Sequence, residues 1–197
     1  MSFKCLIASI TAWIVPATIV NSAPVHFSIG DGANGHYYEI VETETNFLSA
    51  QAAAENMQYM GLQGYLATIT SAEEQRFLES YFGKTFPAWI GASDQGSPDI
   101  WSWITGPEAG TVFYDHTLTT QTGYNNWNIG EPNGGHVENY AVFRHFGTSG
   151  EWNDAREWRE RYYLVEYGGI AAVPLPASVL FVGAGLAMLG FGFRKKA

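Results

Sequence analysis

Two stretches with helical spacing, followed by short strands broken by Gly, Pro, Asn and Asp, predict an α+β domain. Three observations carry this. Phe47, Ala50, Ala54 and Met57 recur at the three- and four-residue steps of one helix face. Ser71 followed by Glu74 is the pattern of a capping box that opens a second helix. Beyond Ala88 the helical period disappears and turn residues interrupt every apolar run.

Taken in order, Tyr37 to Val41 alternates in polarity and is expected to be a strand. Thr45 is the expected N-cap of a helix running to about Met60, and Gly61 the residue that ends it. Leu66 to Ile69 is a short apolar segment, and the helix capped by Ser71 should run to about Phe82. Long loops are expected over Ser93–Asp99, Gly106–Gly110 and Thr117–Asn139, and loops of this length in a compact domain usually carry function. Asn139 to Phe146 reads as a strand, Gly147 to Gly150 as a turn, and Glu151-Trp152 as the start of the return. Arg161 to Tyr167 should close the sheet beside the first strand. No internal repeat is evident.

The densest chemistry lies in Glu131-Pro132-Asn133, Glu138 and Trp152-Asn153-Asp154. These segments supply three carboxylates and two amide carbonyls, with no nitrogen or sulfur ligand. All-oxygen donors suit Ca²⁺, a hard cation that takes ~6–8 oxygens. Because an X-Pro bond adopts the cis form at low cost, a cis Glu131-Pro132 bond is expected, turning both flanking side chains to one side.

With those residues in view, the chain from about Gly35 to Gly168 resembles a C-type lectin domain. The matching residues include Gly35-His36-Tyr37-Tyr38, Gly64-Tyr65-Leu66-Ala67-Thr68-Ile69, Ser71-Ala72-Glu73-Glu74, Trp89-Ile90-Gly91 and Trp101-Ser102-Trp103. Trp127, the Glu-Pro-Asn triplet, Trp152-Asn153-Asp154 and Tyr163-Leu164-Val165-Glu166-Tyr167 complete the series. The resemblance implies a fold of two helices, short antiparallel strands and a long loop region. It also implies a sugar-binding calcium held by Glu131, Asn133, Glu138, Asn153 and Asp154, with the first four also touching sugar. Its Glu-Pro-Asn order goes with mannose-, glucose- or fucose-like sugars.

One departure stands out. The family usually carries two disulfides, whereas this chain has a single cysteine, Cys5, near its start. Tyr140 and Val165 stand where the family often has cysteine, so packing must replace cross-links. A composition that is 46% hydrophobic and 15% aromatic permits this. Trp89, Trp101, Trp103, Trp127 and Trp152 are accordingly read as core anchors. Asp94 and Asp99 allow two readings, an accessory calcium site or an ordinary turn. His136 is read as a loop residue, and Arg156, Arg159 and Arg161 with Glu157 and Glu160 as a solvated charged face.

The ends describe an expected route. Residues 1–23 have the layout of a signal peptide: Lys4, an apolar run from Leu6 to Val20, then Ser22 and Ala23. Residues 24–172 form the expected domain. Within residues 173–197, Val173-Pro174-Leu175-Pro176-Ala177 precedes an apolar stretch to Phe193 and then Arg194-Lys195-Lys196. This resembles the PEP-CTERM sorting signal of Gram-negative bacteria, with a transmembrane helix, a basic cytoplasmic tail and an exosortase-type protease as partner. An ordinary tail anchor is the other reading. Either places the domain outside the inner membrane, and processing would release it to the surface or beyond.

Net charge is −9, but Lys4 and the three basic residues of the tail lie in the two ends. The central domain therefore carries six basic against 19 acidic residues, a formal −13. Nucleic-acid binding is excluded by the absence of a basic surface of useful size. No Gly-x-Ser-x-Gly, no His-Glu-x-x-His and no cysteine nucleophile within the domain argues against an enzyme. The expected role is binding of a glycan or exopolysaccharide, or, as the alternative, a calcium-stabilised structural or protein-binding role in a matrix.

Overall fold

The computed structural model describes residues 23–83, 87–118, 121–144 and 150–171. The elements are β1 (Val25–His26), β2 (Tyr37–Thr45), α1 (Phe47–Glu55), β3 (Gln58–Tyr59), β4 (Leu62–Leu66), α2 (Ala72–Phe82), β5 (Ala88–Ser93), β6 (Ile100–Trp103), β7 (Val112–Asp115), β8 (Tyr140–Phe143), β9 (Asn153–Ala155) and β10 (Arg161–Ala171). A 3₁₀ turn spans Gly135–Val137. The signal segment and the C-terminal apolar helix expected from the sequence lie outside the described residues. Among the described residues, no helix is long and apolar enough to cross a membrane.

The closing strand sits where it was expected: β10 pairs antiparallel with β2, from Tyr163 opposite Val41 to Tyr167 opposite Tyr37. β2 itself runs past Val41 to Thr45, because Arg161 pairs with Thr45 beyond a register shift. Its apolar alternation nevertheless stops at Val41, and Glu42 to Glu44 are exposed. The central sheet runs β1-β2-β10-β5-β6-β7, with β4 also on β10 and β8 bridging β5 and β9. Not every pairing is antiparallel. β5 and β10 run parallel, Tyr162 opposite Ala88 and Tyr163 opposite Trp89. Parallel neighbours need a long crossover, and the whole loop-rich half of the chain lies between them.

Some local expectations need correction. Asn46, not Thr45, caps α1, its Oδ1 accepting from Ser49 N at 2.9 Å. The helix then ends at Glu55 rather than Met60. Met60 and Gly61, both at positive φ (51° and 80°), form a two-residue turn between β3 and β4. That is the hairpin geometry that needs left-handed backbone at both positions, so Gly61 serves a hairpin and not a helix end. The apolar segment Leu66 to Ile69 is buried throughout, as its composition implies, while the strand, Leu62–Leu66, lies mostly ahead of it. The β8 strand is likewise shorter than expected, Tyr140–Phe143.

Two buried clusters make the core. One joins Trp101, Trp103, Trp152, Phe113, Leu78 and Leu164. The other sets Phe47, Ala50 and Ala54 of α1 against Trp89, Tyr140, Val142, Val165 and Tyr167. Tyr140 and Val165 thus meet in one cluster, and Tyr140 packs on Phe47 with ring centroids 4.1 Å apart. Each large side chain buried this way contributes roughly 1.5–3 kcal/mol, and such contacts stand in for the missing cross-links. Gly91 lets β5 come close: a Cβ there would lie 1.8 Å from Thr105 Oγ1 and 2.6 Å from Leu66 O.

A buried polar cluster ties the first strand, the last strand and α2 together. Ser71 Oγ accepts from Glu74 N at 3.1 Å, as a capping box requires, but the Glu74 carboxylate accepts from Thr70 N at 2.8 Å, one residue further out. Its other oxygen takes the Tyr38 hydroxyl at 2.5 Å. Glu166, 1% exposed, accepts from Thr68 N at 2.9 Å and lies 2.5 Å from His36 Nδ1. Burial first, then the Glu166 charge, pushes the Glu74 carboxyl up to about 7. The Glu166 hydrogen bond raises the His36 imidazole above its ordinary value, against the opposing effect of burial.

Candidate cation site

The Glu-Pro-Asn loop and the Trp-Asn-Asp segment are brought side by side by backbone bonds. Trp152 N donates to Asn126 O at 2.7 Å, and Asn128 N returns a bond to Trp152 O at 2.9 Å. Trp127 and Trp152 form an isolated parallel bridge at this point. Glu131 N then closes a turn on Asn128 O at 2.9 Å, and the Glu131-Pro132 bond is cis as expected. The large apolar side chain of Trp152 is fully buried, so core packing sets the position of the two polar residues that follow it.

Asp154 makes the decisive contact. It sits on β9 opposite Ala141 and is 1% exposed. Its carboxylate accepts from Gly134 N at 2.8 Å and Asn133 N at 3.3 Å, across twenty residues of sequence. Asn153, its half-buried neighbour, donates its side-chain amide to Asp154 O. Glu138 follows the 3₁₀ turn and folds back over the loop. A Cβ on Gly134 would lie 2.2 Å from Glu138 Cβ, so only a glycine admits this approach. Asn133 itself is exposed.

Electrostatics single out Glu131. Burial, then the hydrogen bond and charge of Asp154, then the charge of Glu138 push its carboxyl up to about 7. Like charges gathered in one place disfavour ionisation, and a bound cation reverses that preference. Asp94 extends the same acidic field. One oxygen accepts from Asp99 N at 3.0 Å and its carbonyl from Ser97 N at 3.0 Å, which is turn chemistry. Its other oxygen is buried without a hydrogen-bond partner among the described residues. Burial holds this carboxyl above the ordinary value, with the charges of Asp99 and Asp154 adding to it.

Among the described residues, no three His, Cys, Asp or Glu side chains converge closely enough to hold a metal by themselves. An ion held here would need a mixed set, with amide oxygens completing what the carboxylates begin. That is oxygen-only chemistry, suited to calcium and unsuited to zinc. His136 is exposed on the loop. The sequence reading missed the role of Arg156. This arginine is exposed, as expected of a solvated charged face, but its Nε lies 3.5 Å from Glu138 Oε1, so that face borders the site. Seventeen residues separate the two in sequence, so a linear reading does not show the pairing.

The model of the lectin C-type domain family matches residues 48–164, and the chain belongs to that family. It is 36% identical over 179 residues, 85% of its length, to Halomucin of Haloquadratum walsbyi, of which it spans only 2%. It is 36% identical over 93 residues to asialoglycoprotein receptor 1 of Rattus norvegicus, 46% of this chain and 28% of that protein. Among solved structures, it superposes on the cow C-type carbohydrate-recognition domain of CD23, solved in the presence of a GlcNAc2Man3 oligosaccharide. The TM-score is 0.52 at 26% identity, over 70% of this chain and 90% of that one.

Proposed function

We propose that residues 24–172 form a calcium-dependent carbohydrate-binding module of mannose/glucose type, acting at a bacterial cell surface or in its matrix. The observation that carries this is the clamp of Asp154 on the backbone of Asn133 and Gly134. It supports the reading because it holds together the two segments that would supply the ligands. Glu131, Asn133, Glu138, Asn153 and Asp154 would hold Ca²⁺. When bound, the ion offers open coordination positions to two neighbouring sugar hydroxyls. The chain's own part is to orient those hydroxyls: Glu131 and Glu138 accept their protons in charge-assisted bonds, roughly twice as strong as neutral ones. The amides of Asn133 and Asn153 donate to the hydroxyl oxygens. One shallow site of this kind binds a monosaccharide at about millimolar strength, ~4 kcal/mol, so useful affinity requires many copies. The role is binding and not catalysis.

The domain would be exported by the signal of residues 1–23 and held through residues 173–197 until an exosortase-type protease processes them. A second reading rests on the Arg156–Glu138 pair. With that carboxylate engaged, calcium would stabilise the fold while the surface binds protein or builds matrix. A glycan array with and without chelator separates the two. Mannose-type binding that needs calcium supports the first reading. A calcium-raised melting temperature without sugar binding supports the second. Exchanging Glu131→Gln together with Asn133→Asp should move preference toward galactose-like sugars, and unchanged specificity would contradict the assigned role of the triplet.

A further inference from the structure

The chain holds two Asn-Gly pairs, Asn34-Gly35 and Asn133-Gly134. Asparagine is a thermolabile residue, and a following glycine makes it most so. The backbone nitrogen of the next residue can attack the side-chain carbonyl, and glycine carries no side chain to block the approach. Two conditions govern whether a folded chain permits this. The attacking nitrogen must be released, and the asparagine side chain must be able to turn toward it. The first condition does not separate the pairs. Gly35 N donates to Phe27 O at 2.9 Å, and Gly134 N donates to the Asp154 carboxylate at 2.8 Å.

The second condition does separate them. Asn34 is tied at both ends of its amide. Its Nδ2 donates to the Tyr38 hydroxyl at 2.6 Å and to Glu74 Oε1 at 3.2 Å, while its Oδ1 accepts from His36 N at 3.0 Å. To react, it must first leave the polar cluster around Glu74. Asn133 is exposed, and its side chain has no hydrogen-bond partner among the described residues. Only the backbone is held there, Asn133 N and Gly134 N both donating to Asp154. The Asn133 amide is therefore open to rotation and to water.

We infer that Asn133 is a site of spontaneous deamidation and that a bound calcium ion protects it. The protection, though not the reaction, rests on the function proposed above. Gly134 N forms a bond to Asn133 Cγ, and the Cγ–Nδ2 bond breaks. The proton shed by Gly134 N passes through solvent to the departing nitrogen, which leaves as ammonia. Water then opens the cyclic imide. Opening at Cγ gives aspartate at this position, and opening at the backbone carbonyl gives isoaspartate. Either product adds a carboxylate beside Glu131, Glu138 and Asp154 and removes the amide donor assigned to a sugar hydroxyl. Isoaspartate also inserts a methylene ahead of the nitrogen that Asp154 holds. Calcium bound through the Asn133 side-chain oxygen would keep that side chain from turning. A loaded site thus keeps its asparagine, and an unloaded one loses sugar binding with age.

The test ages the whole protein at neutral pH, in calcium and in chelator, and follows both pairs by peptide mapping with isoaspartate-specific labelling. In chelator Asn133 should convert about tenfold faster than Asn34, which must first break the bonds that hold it. In urea, which frees both side chains, the two rates should agree within about twofold. Calcium should slow Asn133 about tenfold and leave Asn34 as it was. Protein aged in chelator and returned to calcium should bind mannan in proportion to the Asn133 that survives. Equal conversion of the two pairs in the folded chain, or an Asn133 that outlasts Asn34, would overturn the site. If mannan binding needs calcium yet Asn133 stays intact in chelator, the modification alone fails. If Asn133 converts first but calcium does not slow it, the modification stands and the calcium reading sinks.

Discussion

Two groups of acids in this domain meet burial in different ways. Glu74 and Glu166 also repel each other, but donors from the fold enclose both carboxylates: Thr68, Thr70, Tyr38 and His36. Around Glu131, Glu138 and Asp154, the acids press on one another, and Asp154 spends its oxygens on holding a loop. The first group is complete as it stands. The second gains most from a cation supplied from outside. Acid clusters of similar composition thus divide into a structural bolt and a candidate ligand set, and the division follows from which donors surround them.

The sharpest break of this contrast is removal of a charge from each group. Glu166→Ala should destabilise the protein by about 3–5 kcal/mol, because it strands buried donors and an imidazole. Urea unfolding measures this. Glu131→Gln, by contrast, should stabilise the chelated protein, by at most ~1 kcal/mol once solvent screening of this half-buried group is allowed for. A loss of stability in both variants would erase the distinction.

Next in size is calcium itself. At a hundredfold excess over its dissociation constant it should add ~2.7 kcal/mol to stability, read as a rise in melting temperature. Asp154→Asn should abolish that rise. An equal rise in this variant would place the ion elsewhere.

The pH dependence comes third. The Glu74 carboxyl moves from its ordinary 4.5 to about 7, so between those values the folded chain holds a proton that the unfolded chain has released. Stability therefore falls as pH rises through that window. His36, raised above 6.5, acts in the same direction: its contribution is complete below 6.5 and is lost as pH rises through the folded value. In chelator the urea midpoint should decline from about pH 5 to pH 8, and a flat or rising profile would contradict this. Calcium affinity should show the opposite trend, climbing until about pH 7 as Glu131 gives up its proton and levelling above.

The smallest expected effect is steric. Gly134→Ala forces Glu138 off the loop, and calcium affinity should drop by about tenfold, ~1.4 kcal/mol, with little change in unfolding. Calorimetry decides it, and undiminished affinity would detach Glu138 from the ligand set.

Helix-forming faces, the Ser71 cap, the closing strand and the order of the oxygen-bearing residues were legible from local pattern alone, because propensity and hydrophobic period act over a few residues. The end of α1 was not. Asn46 and the Met60-Gly61 turn win over the apolar spacing that continues to Met57, and the hairpin they create exists only because β4 finds β10. The five proposed ligand positions could be named from sequence and resemblance, yet neither the contact of Asp154 with Asn133 and Gly134 nor the Arg156–Glu138 pair could be.

By itself, then, the sequence determined the α+β class, the core-forming aromatics, the acidic balance and the oxygen chemistry available for a cation. Tertiary structure alone decided which acids were neutralised by neighbours and which were left to a ligand, and which of two Asn-Gly pairs was tied down. The physical reason is range: hydrophobic periodicity is written in adjacent residues, whereas the field at a carboxylate is summed over groups that only folding makes near.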